Sequence, residues 1–258
     1  MPQVDIVSGS DTVEATTSTG PAHWGFWATA LWGIAIAVVY LILSTIAVVA
    51  AVALGASELS QSEVMEVFES AEANGYLLSI STIVAALGCF GLTVLVIKLK
   101  SGSVLREYLH LRPVPLAIML KWIGVLAIVT IPSELITVAV GRPIVPDFVA
   151  DNYATASPAW MIWVALLIAA PLFEETFFRG FIFKGLESSR LRPLGAIVVT
   201  AGLWTAIHLQ YDLIDMGFIF VLGLVLGAAR LSTHSLVVPI ALHSITNLVA
   251  TAEAALLN

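Results

Sequence analysis

Long apolar runs separated by short polar segments dominate the chain. A helix that crosses a bilayer needs about 20 mainly apolar residues. Runs at or near that length occupy 24–54, 77–97, 115–140, 159–183, 194–209, 216–229 and 236–257. Seven spans are expected, and an eighth could sit within the long first run or in a re-entrant piece. The pattern predicts an all-α, polytopic transmembrane helix bundle of about seven to eight spans. Between the first two runs, residues 57–75 carry Glu58, Glu63, Glu66, Glu69 and Glu72, with apolar residues at helical spacing. This segment is expected to form a short acidic helix on the membrane interface. Three regions follow: a disordered polar tail over 1–22, N-terminal membrane helices with the acidic loop over 23–157, and a candidate catalytic membrane region over 158–258.

Composition supports a membrane protein. Of 258 residues, 59% are hydrophobic and 11% charged, against about 25% charged in a soluble domain. The single cysteine, Cys89, excludes an intrachain disulfide and a multi-cysteine metal site. A net charge of −7 without a basic patch argues against nucleic acid as a partner.

The basic residues orient the bundle. Lys98, Lys100, Arg106, Arg112, Lys184, Arg190, Arg192 and Arg230 all fall in alternate connections, and Arg142 alone falls in the others. By the positive-inside rule the first set is cytoplasmic. The expected location is a multi-pass protein of the plasma membrane with its basic loops inside the cell. Glu134, near the end of the third run, is expected to be solvated at the opposite interface.

One polar pair breaks the apolar pattern at membrane depth. Glu174 and Glu175 lie in the middle of the fourth run, where a carboxylate costs at least about 2.5 kcal/mol on insertion scales. Glu175 and Arg179 are four residues apart and share a helix face, which suits a structural ion pair. Glu174 is rotated about 100° away and is free to meet other helices. His208 stands four residues after Trp204, and Asn247 four after His243. A lone membrane histidine is most simply a helix-packing partner. A carboxylate, two histidines and an asparagine on three helices are better explained by convergence on one pocket, because polar groups at this depth face a bundle interior. A carboxylate beside an imidazole can deprotonate water, and a second imidazole with an amide can stabilise an oxyanion. That equipment suits amide hydrolysis without a covalent intermediate.

The ordered set Glu174-Glu175-x-x-x-Arg179, Trp204-x-x-x-His208 and His243-x-x-x-Asn247 resembles the CAAX-protease and bacteriocin-processing family of intramembrane endopeptidases, over roughly residues 158–250. The resemblance implies an eight-helix type of membrane protease opening toward the cytoplasm; the residues themselves favour a metal-free form with no cofactor, because every candidate ligand comes from a different helix. The resemblance also implies that Glu174 and His208 activate water, that His243 and Asn247 form the oxyanion hole, and that Glu175, Arg179 and Trp204 support them. Trp204 departs from the usual phenylalanine. The implied partners are a peptide or protein substrate, membrane-associated or lipidated, and the lipid bilayer. Two other readings remain. Glu174, His208 and His243 are legitimate zinc ligands, although no His-Glu-x-x-His spacing is present. A non-catalytic immunity or regulatory protein could use the same pocket.

Overall fold

The computed structural model describes residues 22–55, 62, 65–67 and 71–257. The polar tail through residue 21, and Glu58, Glu63 and Glu69 of the acidic loop, lie outside the described residues. Every regular element described is helical. In chain order they are α1 (Phe26–Gly55), α2 (Gly75–Leu99), α3 (Leu105–Tyr108), α4 (Leu116–Ala139), α5 (Asp147–Thr155), α6 (Trp160–Glu187), α7 (Arg192–Ala206), α8 (Leu213–Thr233) and α9 (Val237–Leu257). Among the described residues, six of these are long and apolar enough to cross a membrane: α1, α2, α4, α6, α8 and α9. Helix α7 has only 15 residues, a length of about 22 Å against a hydrocarbon core of about 30 Å.

Local chemistry sets the boundaries. The Asn74 side chain accepts from the Leu77 amide at 3.1 Å and starts α2. Asp212 caps α8 by accepting from the amides of Ile214 at 2.8 Å and Asp215 at 3.1 Å. Pro115 and Pro146 precede α4 and α5, where a missing N–H costs nothing. Helix α8 ends where His234 turns left-handed at φ 48°.

The most buried helix, α6, runs through the centre. It contains two π-helical stretches, Ala165–Ala169 and Thr176–Ile182, on either side of the glutamate pair. Such widened turns often mark functional positions, because they re-aim side chains within an otherwise regular helix. Helix α1 packs along α2 and against the C-terminal half of α6, while α4 packs against α8 and α9. Close approach of α1 depends on two glycines. A Cβ on Gly185 would lie 2.1 Å from Thr29 Oγ1, and one on Gly33 would lie 2.7 Å from Ile182 Cδ1. The outward faces of α1 and α4 expose Leu31, Ile34, Leu116 and Ile128, as lipid-facing helices do.

Because the helices alternate in direction, the connections 100–115, 188–191 and 234–236 gather at one end, the basic end. The connections 140–159 and 207–212 gather at the other, the acidic end. The basic end is tightly closed. Leu236 N–H donates to His110 C=O at 3.1 Å, Ser235 Oγ donates to Arg112 C=O at 2.5 Å, and Leu109, Phe181, Phe183 and Leu236 are buried.

Candidate active site

Helix α6 sends its two glutamates into different surroundings. Glu175 is fully buried, and its Oε1 receives both Arg179 Nη1 and His243 Nδ1 at 2.9 Å. Arg179, equally buried, also donates through Nη2 to the Gly223 carbonyl at 3.2 Å. The expected pair within one helix is therefore present, and it extends to α9 through His243. Glu174 faces a cleft of about 1320 Å³, and its Oε2 receives the Trp204 indole N–H at 2.5 Å.

Trp204 is the hub of the site. Its ring lies 4.7 Å from the Arg179 guanidinium, 4.9 Å from the His208 ring and 5.2 Å from the His243 ring. One indole thus holds Glu174 by its edge, stacks against the buried cation and separates the two imidazoles. Its aromatic character was legible in the sequence. Its N–H bond to Glu174 was not, because nothing in the spacing fixes how α7 is rotated about its axis.

His208 does not lie on the helix that the apolar run suggests. Helix α7 ends at Ala206, and His208 sits in the turn beyond it, with its amide on Thr205 C=O at 2.9 Å. Its Nδ1 is 2.7 Å from Trp204 C=O. A carbonyl only accepts, so Nδ1 carries the proton and Nε2 is left with its lone pair. His243 is held in the same sense: Nδ1 faces a carboxylate, leaving Nε2 for the cleft. Asn247 donates one amide hydrogen to Leu166 C=O at 2.7 Å, and Ser244 donates to Leu167 C=O at 2.8 Å. Both carbonyls belong to the first π-helical stretch of α6 and lie five and four residues before Pro171, which has no N–H to return to them.

Glu174, His208, His243 and Asn247 all line the one cleft. Glu175 and Arg179 stand behind it. Other lining groups escaped the sequence reading. Tyr40 of α1 stacks on Phe173 at 5.2 Å beside Glu174. Glu134, expected at the interface opposite the basic loops, lines the cleft near the acidic end with Glu253 and Asp215. At the acidic end Arg142 donates to Asp212, and to Asp215 at 3.0 and 3.2 Å. The amide of Asp215 first, then that of Ile214, holds the Asp212 carboxyl below its usual range. Among the described residues, no three His, Cys, Asp or Glu side chains are placed to share a metal ion.

Residues 156–249 match the family model described as Type II CAAX prenyl endopeptidase Rce1-like. A curated relative, an uncharacterized 24.3 kDa protein of Escherichia coli, is 33% identical over 126 residues, covering 47% of this chain and 57% of the relative. The chain thus matches little more than half the length of that relative. No solved structure matches it. The matched span holds both glutamates, Arg179, Trp204, both cleft histidines and Asn247, so this region of the chain is similar to the Rce1-like CAAX endopeptidases over the residues that line the cleft.

Proposed function

We propose that the protein is an intramembrane endopeptidase of glutamic type, hydrolysing a peptide bond with an activated water. The observation that carries this reading is the placement of Glu174, His208, His243 and Asn247 around one cleft, with both imidazoles anchored through Nδ1. Water held between Glu174 and His208 Nε2 attacks the scissile carbonyl carbon, and its proton passes to the carboxylate. The C–N bond then breaks as that proton moves to the departing amine. The oxyanion is met by the Asn247 amide and by His243 Nε2, which donates only when the ring is doubly protonated. Glu175 is the counterion for that state, shared with Arg179. The substrate class is a peptide or protein at the membrane, lipidated or not. The protein sits in the plasma membrane with its basic end in the cytoplasm.

Metal-free chemistry is part of the proposal. Zinc would require Glu174, His208 and His243 as ligands, yet Glu174 Oε2 is held by an indole N–H and the three side chains do not form a ligand cluster. The test uses purified protein and membrane-anchored reporter peptides, prenylated and unprenylated. Cleavage should survive o-phenanthroline, vanish in Glu174→Gln, and fall about 10²–10³-fold in Asn247→Ala, the usual loss for one oxyanion donor. Chelator-sensitive cleavage restored by zinc overturns the metal-free mechanism. A folded wild type that cleaves nothing, with biological function intact in Glu174→Ala, overturns the protease reading in favour of a binding protein.

A further inference from the structure

We infer that the buried Arg230, at the basic end of the bundle, is the centre of a binding site for a phosphate group. Arg230 does not line the cleft and takes no part in the proposed reaction, so the site stands apart from the protease reading.

The apolar pattern puts Arg230 in a connection between helices. The structure puts it inside α8, three residues before Thr233 ends the helix, at 1% exposure. Its Nε and Nη2 are buried and find no acceptor among the described residues. The guanidinium lies 5.8 Å from the Phe183 ring of α6, a contact that favours a cation but occupies none of its N–H donors. Glu187, at the end of α6, is the carboxylate whose field reaches Arg230. It forms no ion pair with Arg230, because its Oε1 is held by Lys184 Nζ at 2.8 Å. Lys184 and Glu187 cancel each other, and the cluster keeps one uncompensated positive charge. Nδ1 of His110, a ring on which Arg230 and Lys184 both act, is likewise buried without a partner.

A buried cation without an anion is strongly unfavourable, and ionised groups at membrane depth are held by partners or water. Nε and Nη2 form one edge of the guanidinium, the edge that grips two oxygens of a phosphate in a bidentate pair. Position selects phosphate as the anion. Arg230 sits about 4.5 Å of helix rise inside the end of α8, a distance that an arginine stem spans toward the headgroup layer. The surroundings open to that layer: the Lys184 side chain is 22% exposed, and His234, whose ring lies 6.1 Å from that of His110, is exposed. Basic pockets between membrane helices at this level take anionic lipid headgroups. A lipid headgroup and free phosphate offer the same chemistry, and the experiment separates them.

Thermal midpoints provide the test. The protein is placed in phosphatidylcholine nanodiscs with increasing phosphatidylglycerol, and separately in detergent with inorganic phosphate against chloride at equal ionic strength. The wild-type midpoint should rise with phosphatidylglycerol and saturate, as for a ligand that binds the folded state. Lys184→Gln frees Glu187 to compensate Arg230 and should weaken the apparent affinity about tenfold, roughly the effect of one unit charge at ~10 Å. Glu187→Gln should strengthen it. Arg230→Gln should abolish the response; the two α6 variants keep the arginine and remain informative if Arg230→Gln does not fold. A rise with phosphatidylglycerol alone assigns the site to lipid, and a rise with inorganic phosphate as well assigns it to the phosphate group from either source. A midpoint indifferent to both, a response retained by Arg230→Gln, or α6 variants that shift the affinity in the same direction overturn the inference. No turnover is measured, so a protein that cleaves nothing gives the same answer.

Discussion

Two neighbouring carboxylates in one apolar helix serve opposite ends. Glu175 is the anion of a buried network with Arg179 and His243, and Glu174 is the one presented to the cleft. Removing one partner of a buried ion pair typically costs about 3–5 kcal/mol, because the other charge is left uncompensated. Glu175→Gln should therefore lower the thermal unfolding midpoint in detergent markedly, while Glu174→Gln, which loses one hydrogen bond to a cleft-facing group, should change it little. Equal midpoints for the two variants would contradict the division of roles. The i,i+4 spacing made the Glu175–Arg179 pair legible in the sequence. The His243 bond joins residues 68 apart in the chain, and no local periodicity carries that information. For the same reason the four cleft residues could be named from their polar character in apolar runs, whereas the hub role of Trp204 required the rotation of α7.

Among the elements, the long apolar runs became helices α1, α2, α4, α6, α8 and α9 with boundaries shifted by a few residues. The run 194–209 misled about its end, because Ile207 and Leu209 continue the apolar pattern past the last helical turn. The two π-helical stretches of α6 were not legible in hydropathy; the first packs against α2 and α9, and the second against α1 and α2. Contact between α1 and the end of α6 is set by small residues, which hydropathy treats as neutral. Adding a methyl group there tests the packing. A Cβ on Gly185 would lie 2.1 Å from Thr29 Oγ1 and 2.5 Å from Thr29 Cβ, and overpacking of this kind typically costs about 1–3 kcal/mol. Gly185→Ala should lower thermal stability, and adding Thr29→Gly should restore much of it. Gly124→Ala, with nothing within 4 Å of the new Cβ, should be neutral or stabilising by up to about 1 kcal/mol. The reverse ranking of Gly185→Ala and Gly124→Ala in a melting series would refute this account of α1.

At the scale of the whole molecule, charge is unevenly divided between the ends: eight of the Lys and Arg residues lie at the sealed end, whereas Arg142 is at the other, beside Asp212 and Asp215. The division could be read from the order of loops. The seal itself could not, because it joins residues 110–112 to 235–236 through backbone carbonyls that any sequence possesses. His110 sits in this seal, at φ 52°, with its ring 6.1 Å from that of His234. Burial first, then the nearby charges of Arg230 and Lys184, push its imidazole down to about 4, with Glu187 and a backbone hydrogen bond opposing. The unfolded chain protonates the same ring near 6.5. Between those values the unfolded state takes up a proton that the folded state refuses, so stability should fall as pH drops through the window and be flat above it. His110→Asn removes the titration and keeps a side chain that tolerates the left-handed backbone. Thermal midpoints in detergent from pH 7.5 to pH 4 should decline less steeply for His110→Asn than for the wild type. Parallel declines would assign the acid sensitivity to carboxylates elsewhere, such as Asp212, whose lowered range lies at more acidic pH.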